Sequence, residues 1–177
     1  MVQDIFLIGP MASGKSVVGR ALADRLGYRF VDTDEEITAG HGSIAGLFAK
    51  RGEAAFRTVE STTLARAASR EEPSVIATGG GVVLDPGNRD LLAGSFTVYL
   101  HTDLATVRPR IEADSGRPLL DGDPIRRWAD ILAERESLYR ACASLTIDAR
   151  TGSVARLAED IEGAYRRHAS TSGGITT

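Results

Sequence analysis

Gly9-Pro10-Met11-Ala12-Ser13-Gly14-Lys15-Ser16 is the stretch that decides how this chain folds. It fits G-x-x-x-x-G-K-[ST], the pattern of a backbone loop that wraps phosphate groups. Each position has a physical reason. The glycines let the chain bend so that successive N–H groups point at phosphate oxygens. The helix that follows adds the partial positive charge of its N-terminus at the same place. Lys15 has the reach for β- and γ-phosphates, and the Ser16 hydroxyl suits Mg²⁺. The same letters also describe an ordinary strand-to-helix turn with a capping serine. The flanks favour the phosphate loop, because an apolar run, Val2–Ile8, precedes it and a helical pattern from about Lys15 to Leu26 follows.

Outward from that loop, short β-rich runs alternate with longer helical patterns. Tyr28–Val31, Ser74–Ala77, Phe96–Leu100 and Ser144–Ile147 read as strands. Helical patterns fill Asp85–Leu92, Asp103–Ile111, Pro124–Tyr139 and Ser153–His168, and Ile37–Arg70 is mostly helical with breaks at Gly40–Gly42 and Gly52. Strands alternating with helices of this length imply βαβ units, hence an α/β fold with a parallel sheet covered on both faces. The chain of 177 residues is one domain's worth. Residues 1–168 form that domain, and residues 169–177, small and polar, read as a disordered tail.

Composition narrows the chemistry. A net charge of −3 gives no global reason to bind nucleic acid or an anionic membrane. The single cysteine, Cys142, excludes an internal disulfide, and three scattered histidines (His41, His101, His168) argue against a metal held by His or Cys. The first residues lack a basic region ahead of their apolar run, and no stretch approaches a membrane span, so a cytoplasmic protein is expected.

Four further segments are candidates for chemistry. Asp32-Thr33-Asp34 falls at the C-terminal end of the second strand, the edge where ligands sit in a parallel α/β sheet. One carboxylate there can steady Mg²⁺ while the other faces a second substrate as a base; the alternative is a helix N-cap and first turn. Arg57 and Glu60 are i, i+3 neighbours, so Glu60 can orient the guanidinium, and residue physics alone favours an exposed helix ion pair. Gly79-Gly80-Gly81 follows an apolar strand and brings bare backbone near the same edge, or simply makes a sharp turn. Glu112–Pro124 combines two glycines, two prolines and four acidic residues in 13 positions. That is long for a connection in a compact domain, which points to a lid, with a solvated linker as the alternative.

Taken in order, these segments, with Arg117-Pro118-Leu119-Leu120 and Glu134-Arg135-Glu136-Ser137-Leu138-Tyr139, resemble the shikimate kinases, small P-loop kinases of the nucleoside-monophosphate-kinase structural type. The resemblance covers nearly the whole chain. It implies a five-stranded parallel sheet in the order 2-3-1-4-5, a mobile lid near residues 112–124, and transfer of the ATP γ-phosphate to the 3-hydroxyl of shikimate, with Mg²⁺ as cofactor. It also implies roles. Asp34 would hold ring hydroxyls and act as base, with Lys15 and Arg117 as the other catalytic groups. Arg57 and Arg135 would grip the substrate carboxylate, and Gly79, Gly80 and Gly81 would line the substrate. Nucleotide contacts would come from Ala12, Ser13, Gly14, Lys15, Ser16, Val17, Arg110, Arg117 and Arg150, and metal contacts from Ser16 and Asp32. ATP and shikimate would be its only partners, with the chain acting as a monomer, away from nucleic acid and membrane. Two departures stand out: Ala12 replaces the usual glycine, which stiffens the loop, and Ser137 replaces a proline ahead of Leu138-Tyr139.

Other readings of the loop lack their own marks. A nucleoside monophosphate kinase calls for an Asp-Gly-Phe-Pro-Arg-like segment, and a GTP switch calls for Asn-Lys-x-Asp; lysine occurs only at 15 and 50. A gluconate-type kinase shares the loop and lid but has no need of Phe56-Arg57, the glycine triplet and Arg135 together. A silent, ligand-binding paralogue is opposed by intact Lys15, Ser16, Asp32, Asp34 and Arg117.

Overall fold

The fold is seen in a computed structural model, which describes residues 3–113 and 123–172. Five strands form one parallel sheet in the order β2-β3-β1-β4-β5. These are β1 (Ile5–Ile8), β2 (Arg29–Asp32), β3 (Ser74–Ala77), β4 (Phe96–His101) and β5 (Leu145–Asp148). Seven helices connect and cover them: α1 (Lys15–Leu26), α2 (Thr33–His41), α3 (Ile44–Ala68), α4 (Pro86–Ala93), α5 (Leu104–Glu112), α6 (Pro124–Cys142) and α7 (Val154–Ser172). The strand order is the one the family resemblance implies.

The central strands are apolar without alternation because both faces are covered. From β1, Ile5 and Leu7 join Val75, Val98 and Leu100 under Val18 and Leu22 of α1 and Ile161 and Tyr165 of α7. Phe6 and Ile8 point the other way, packing with Val31, Ile76 and Tyr99 against Leu64, Leu92 and Tyr139 of α3, α4 and α6. A third cluster ties α5 to α6 through Val107, Ile111, Trp128 and Ile131. A fourth, around Ile37, Leu47 and Phe56, holds α2 against α3.

Several boundaries depart from the sequence reading. The second helix begins at Thr33, four residues before the expected start, because Asp32 caps it, its side chain accepting hydrogen bonds from the backbone N–H groups of Asp34 and Glu35. The break at Gly52 is a kink inside α3, where φ is +78. The last helix does not stop at His168 but continues to Ser172, so residues 169–172 are helical and not part of a disordered tail. Hydroxyls of Ser170 and Thr171 bond back to the carbonyls of Arg166 and Arg167, which extends that turn. Ser137 leaves α6 unbroken. The centre of the expected lid, residues 114–122 with Arg117, lies outside the described residues. No helix among those described is long and apolar enough to cross a membrane.

Candidate active site

The C-terminal ends of β1, β2 and β3 each run into a segment singled out above, and the parallel register sets them side by side. A cleft of about 500 Å³ lies over them, lined by Met11–Ala12 and Gly14–Val17 of the loop, by Asp32 and Asp34, and by Thr78, Gly80 and Arg110.

The phosphate loop forms as its sequence requires. Gly14, the N-cap of α1, takes φ +93, a conformation glycine adopts without strain. Ala12 is also left-handed, at φ +64, although it is not glycine. Lys15 is buried, and its ammonium donates to the carbonyls of Gly9 and Pro10, each at 2.8 Å, and to Ser13 Oγ at 3.4 Å. Ser16 Oγ donates to Asp32 Oδ2 at 2.5 Å. Asp32 is the helix cap weighed above, through one oxygen, and its other oxygen accepts from the loop serine. Two hard oxygen donors at the mouth of a phosphate loop match the needs of Mg²⁺, which keeps several waters and takes only one or two side chains.

Beyond the loop, charged side chains of α3 and α6 gather around the backbone that follows β3. Arg57 donates to Glu60 at 2.7 Å and to Glu53 at 2.9 Å. This is not the exposed helix pair that i, i+3 spacing suggests, since the Glu60 side chain is only 3% exposed and that of Arg57 18%. Burial pushes the Glu60 carboxyl above its usual range, against the pull of Arg57, while nearby Asp34 adds to the rise. Arg57 keeps its charge: burial works against it, but the carboxylates of Glu60 and Glu53 outweigh that cost.

The glycine triplet earns its composition at two positions. A Cβ at Gly81 would fall 1.8 Å from Arg57 Nη1, and one at Gly79 would lie 2.6 Å from Glu60 Oε1 and 2.9 Å from Asp34 Oδ1. Arg57, Glu60 and Asp34 thus converge on bare backbone. From α6, buried Arg135 donates to the Gly80 carbonyl at 3.4 Å. The Nε atoms of Arg57 and Arg135 are buried and meet no acceptor among the described residues. Two guanidiniums brought to the same stretch of bare backbone suit a carboxylate ligand.

With this geometry in view, the family model for shikimate kinase matches residues 11–165. The chain belongs to the shikimate kinase family. The shikimate kinase of Halorhodospira halophila is 45% identical over 166 residues, covering 90% of this chain and 93% of that one. Among solved structures, the shikimate kinase from Acinetobacter baumannii in complex with shikimate superposes with a TM-score of 0.89 at 37% identity, over 99% of this chain and 97% of that one. A gluconokinase from Sinorhizobium meliloti, with a TM-score of 0.67 at 19% identity over 99% and 98%, shares the fold alone.

For a shikimate kinase, the placement of the remaining candidates is informative. Arg110 on α5 reaches the loop, its Nη1 donating to the Ala12 carbonyl at 2.7 Å. Val17 is an unusually exposed apolar side chain beside the same cleft. Arg150 instead engages Asp148, at 2.8 Å, and more distantly Asp103, beyond the ends of β4 and β5. Sequence reasoning passed over Thr33, whose hydroxyl accepts from the Gly79 N–H at 3.1 Å. It also gave no role to Tyr139, which donates to the Gly80 carbonyl at 2.5 Å while stacking on Tyr99, or to Trp128, which donates to the Met11 carbonyl at 3.0 Å. Thr33 and Tyr139 each carried a signal, as members of Asp32-Thr33-Asp34 and Glu134–Tyr139, whereas Trp128 carried none.

Proposed function

We propose that this chain transfers the γ-phosphoryl group of ATP to the 3-hydroxyl of shikimate, giving shikimate 3-phosphate and ADP. The observation that carries this reading is the convergence of Arg57, Arg135 and Asp34 on the Gly79–Gly81 backbone, next to the phosphate-loop cleft that Asp34 and Gly80 help to line. That cluster has two cations for a carboxylate and a carboxylate for hydroxyls, which is the polarity of a small polyhydroxylated acid.

In the reaction, the shikimate 3-oxygen forms a bond to the γ-phosphorus while the bond from that phosphorus to the ADP oxygen breaks. Asp34 accepts the proton that the hydroxyl loses. Lys15 gives up its loop carbonyls for the β- and γ-phosphate oxygens and balances charge that grows on the transferring group. The N–H groups of Ala12 to Ser16 and the N-terminus of α1 hold the β-phosphate. Ser16 and Asp32 would hold Mg²⁺, which when bound screens the phosphate charge and orients the terminal phosphate. Arg57 and Arg135 fix the substrate carboxylate and so set which hydroxyl faces the phosphorus. Arg110 contributes at the phosphate loop and Arg117 closes over the phosphates, with Arg150 toward the adenine.

A coupled ADP-release assay with shikimate, quinate and gluconate side by side tests the reading. Shikimate should be turned over with a kcat/KM at least about a hundredfold above either competitor, since each mismatched polar group costs a factor of ten or more. Preference for gluconate, or ADP release independent of acceptor, would overturn it.

A further inference from the structure

We propose that Trp128 is a positioning residue for nucleotide: its indole N–H locks the phosphate loop in the backbone arrangement that offers amide hydrogens to phosphate. The inference rests on the reading of Gly9–Ser16 as the nucleotide site. Trp128 stands on α6 and is 1% exposed. Its ring is packed with Val107, Ile111 and Ile131, and Met11 and Ala12 of the loop press against the same cluster. Its Nε1 donates to the Met11 carbonyl at 3.0 Å. From α5, on the other side of residues 114–122, Arg110 donates to the next carbonyl, that of Ala12, at 2.7 Å.

The Met11 carbonyl is therefore turned outward, onto Trp128, while the Ala12 carbonyl is held by Arg110 at the edge of the cleft. The described peptide bonds are all trans, and across a trans peptide the C=O and the following N–H point in opposite directions. Holding the Met11 carbonyl outward turns the Ala12 N–H inward. The Ser13 N–H is taken up inside the loop by the Pro10 carbonyl at 3.4 Å, the oxygen that also receives the Lys15 ammonium at 2.8 Å.

The loop needs this restraint because Ala12 sits at φ +64, a conformation that its Cβ opposes. Rotating the Met11–Ala12 peptide by half a turn would return Ala12 to negative φ. It would also aim the Met11 carbonyl oxygen into the site, where it would repel phosphate. The indole bond stands against that rotation. The Arg110 bond is exposed to competing water, whereas the Trp128 bond is partly buried and its donor side chain is fully buried, where a hydrogen bond is stronger. Trp128 is thus the constant member of the pair.

Trp128→Phe keeps the aromatic bulk and removes the donor. Calorimetric titration should show ADP bound about 3–10-fold more weakly, the scale of one net hydrogen bond, with shikimate affinity within twofold of the parent and kcat at saturating ATP little changed. A purely structural role would lower the melting temperature and leave the ADP affinity of the folded protein intact, which would overturn the proposal. A second measurement needs no variant. Trp128 is the single tryptophan in the chain, so its indole proton is one resonance. By linkage, if the bond favours nucleotide then nucleotide favours the bond, and saturating ADP should slow exchange of that proton by several-fold. Unchanged exchange would overturn the inference while leaving the active-site reading intact. Failure of the parent protein to bind ADP at all would overturn both.

Discussion

Arg57→Ala separates what this arginine does for the fold from what it does for the substrate. Its partner Glu60 is a carboxylate with a side chain only 3% exposed, bound at 2.7 Å. Removing one member of a buried pair costs about 3–5 kcal/mol, because the other charge is stranded. Arg135 also faces Glu60, and Arg57 itself is partly exposed, so the lower end, about 3 kcal/mol, is expected here. For a chain of this size that is a fall of roughly 6–12 °C in melting temperature. Arg57→Ala combined with Glu60→Gln leaves no stranded charge and should regain most of that loss. The KM for shikimate should behave differently, rising about 10–100-fold in the single variant and staying high in the double, since a charge-assisted contact is absent from both. Urea midpoints and shikimate saturation curves on the two variants provide the comparison. A double variant no more stable than the single one, or an Arg57→Ala enzyme with the parent's KM, would refute the reasoning.

Asp34→Asn removes the base and should lower kcat by about 10²–10⁴ with the ATP KM nearly constant; a changed Mg²⁺ requirement with near-normal turnover would make Asp34 a metal ligand instead. Gly81→Ala places a Cβ 1.8 Å from Arg57 Nη1, so the guanidinium must leave its position; shikimate KM should rise at least about tenfold, and an unchanged KM would show that Arg57 grips from elsewhere. Glu60 gives a pH signature. Burial holds its folded-state pKa above the usual 4.5, so the folded protein binds this proton more tightly than the unfolded one. Its contribution is most favourable below 4.5 and is lost as pH rises through the elevated value. Urea midpoints between about pH 4 and 8 should show that downward slope in the parent and a flatter curve in Glu60→Gln, and identical slopes would refute the assignment.

The scaffold was legible because its signals are local. An unbroken apolar run marks a strand covered on both faces, and Gly9–Ser16 carries its own strand and helix flanks. Gly52 announced its kink through the one residue type that takes φ +78 freely. The pocket was less legible because burial is not written in spacing. Arg57 and Glu60 have the same i, i+3 separation in solvent as under β3, and only the fold packs Glu60 against Gly79. Trp128 and Tyr139 are core aromatics. Their second use, donating to Met11 and Gly80 carbonyls, depends on backbone brought from 117 and 59 residues away. Asp32 shows a different lesson: capping and site chemistry looked like alternatives, yet one oxygen makes the cap and leaves the other beside the loop serine.

The most direct measurement compares shikimate with an analogue lacking its carboxylate, in the parent enzyme and in the Arg57→Ala/Arg135→Ala variant. Two charge-assisted contacts of about 1.5–3 kcal/mol each predict a kcat/KM ratio of roughly 10²–10⁴ in favour of shikimate for the parent. The double variant should treat the two compounds within a few-fold of each other. A parent enzyme indifferent to the carboxylate, or a double variant that still discriminates, would contradict the account.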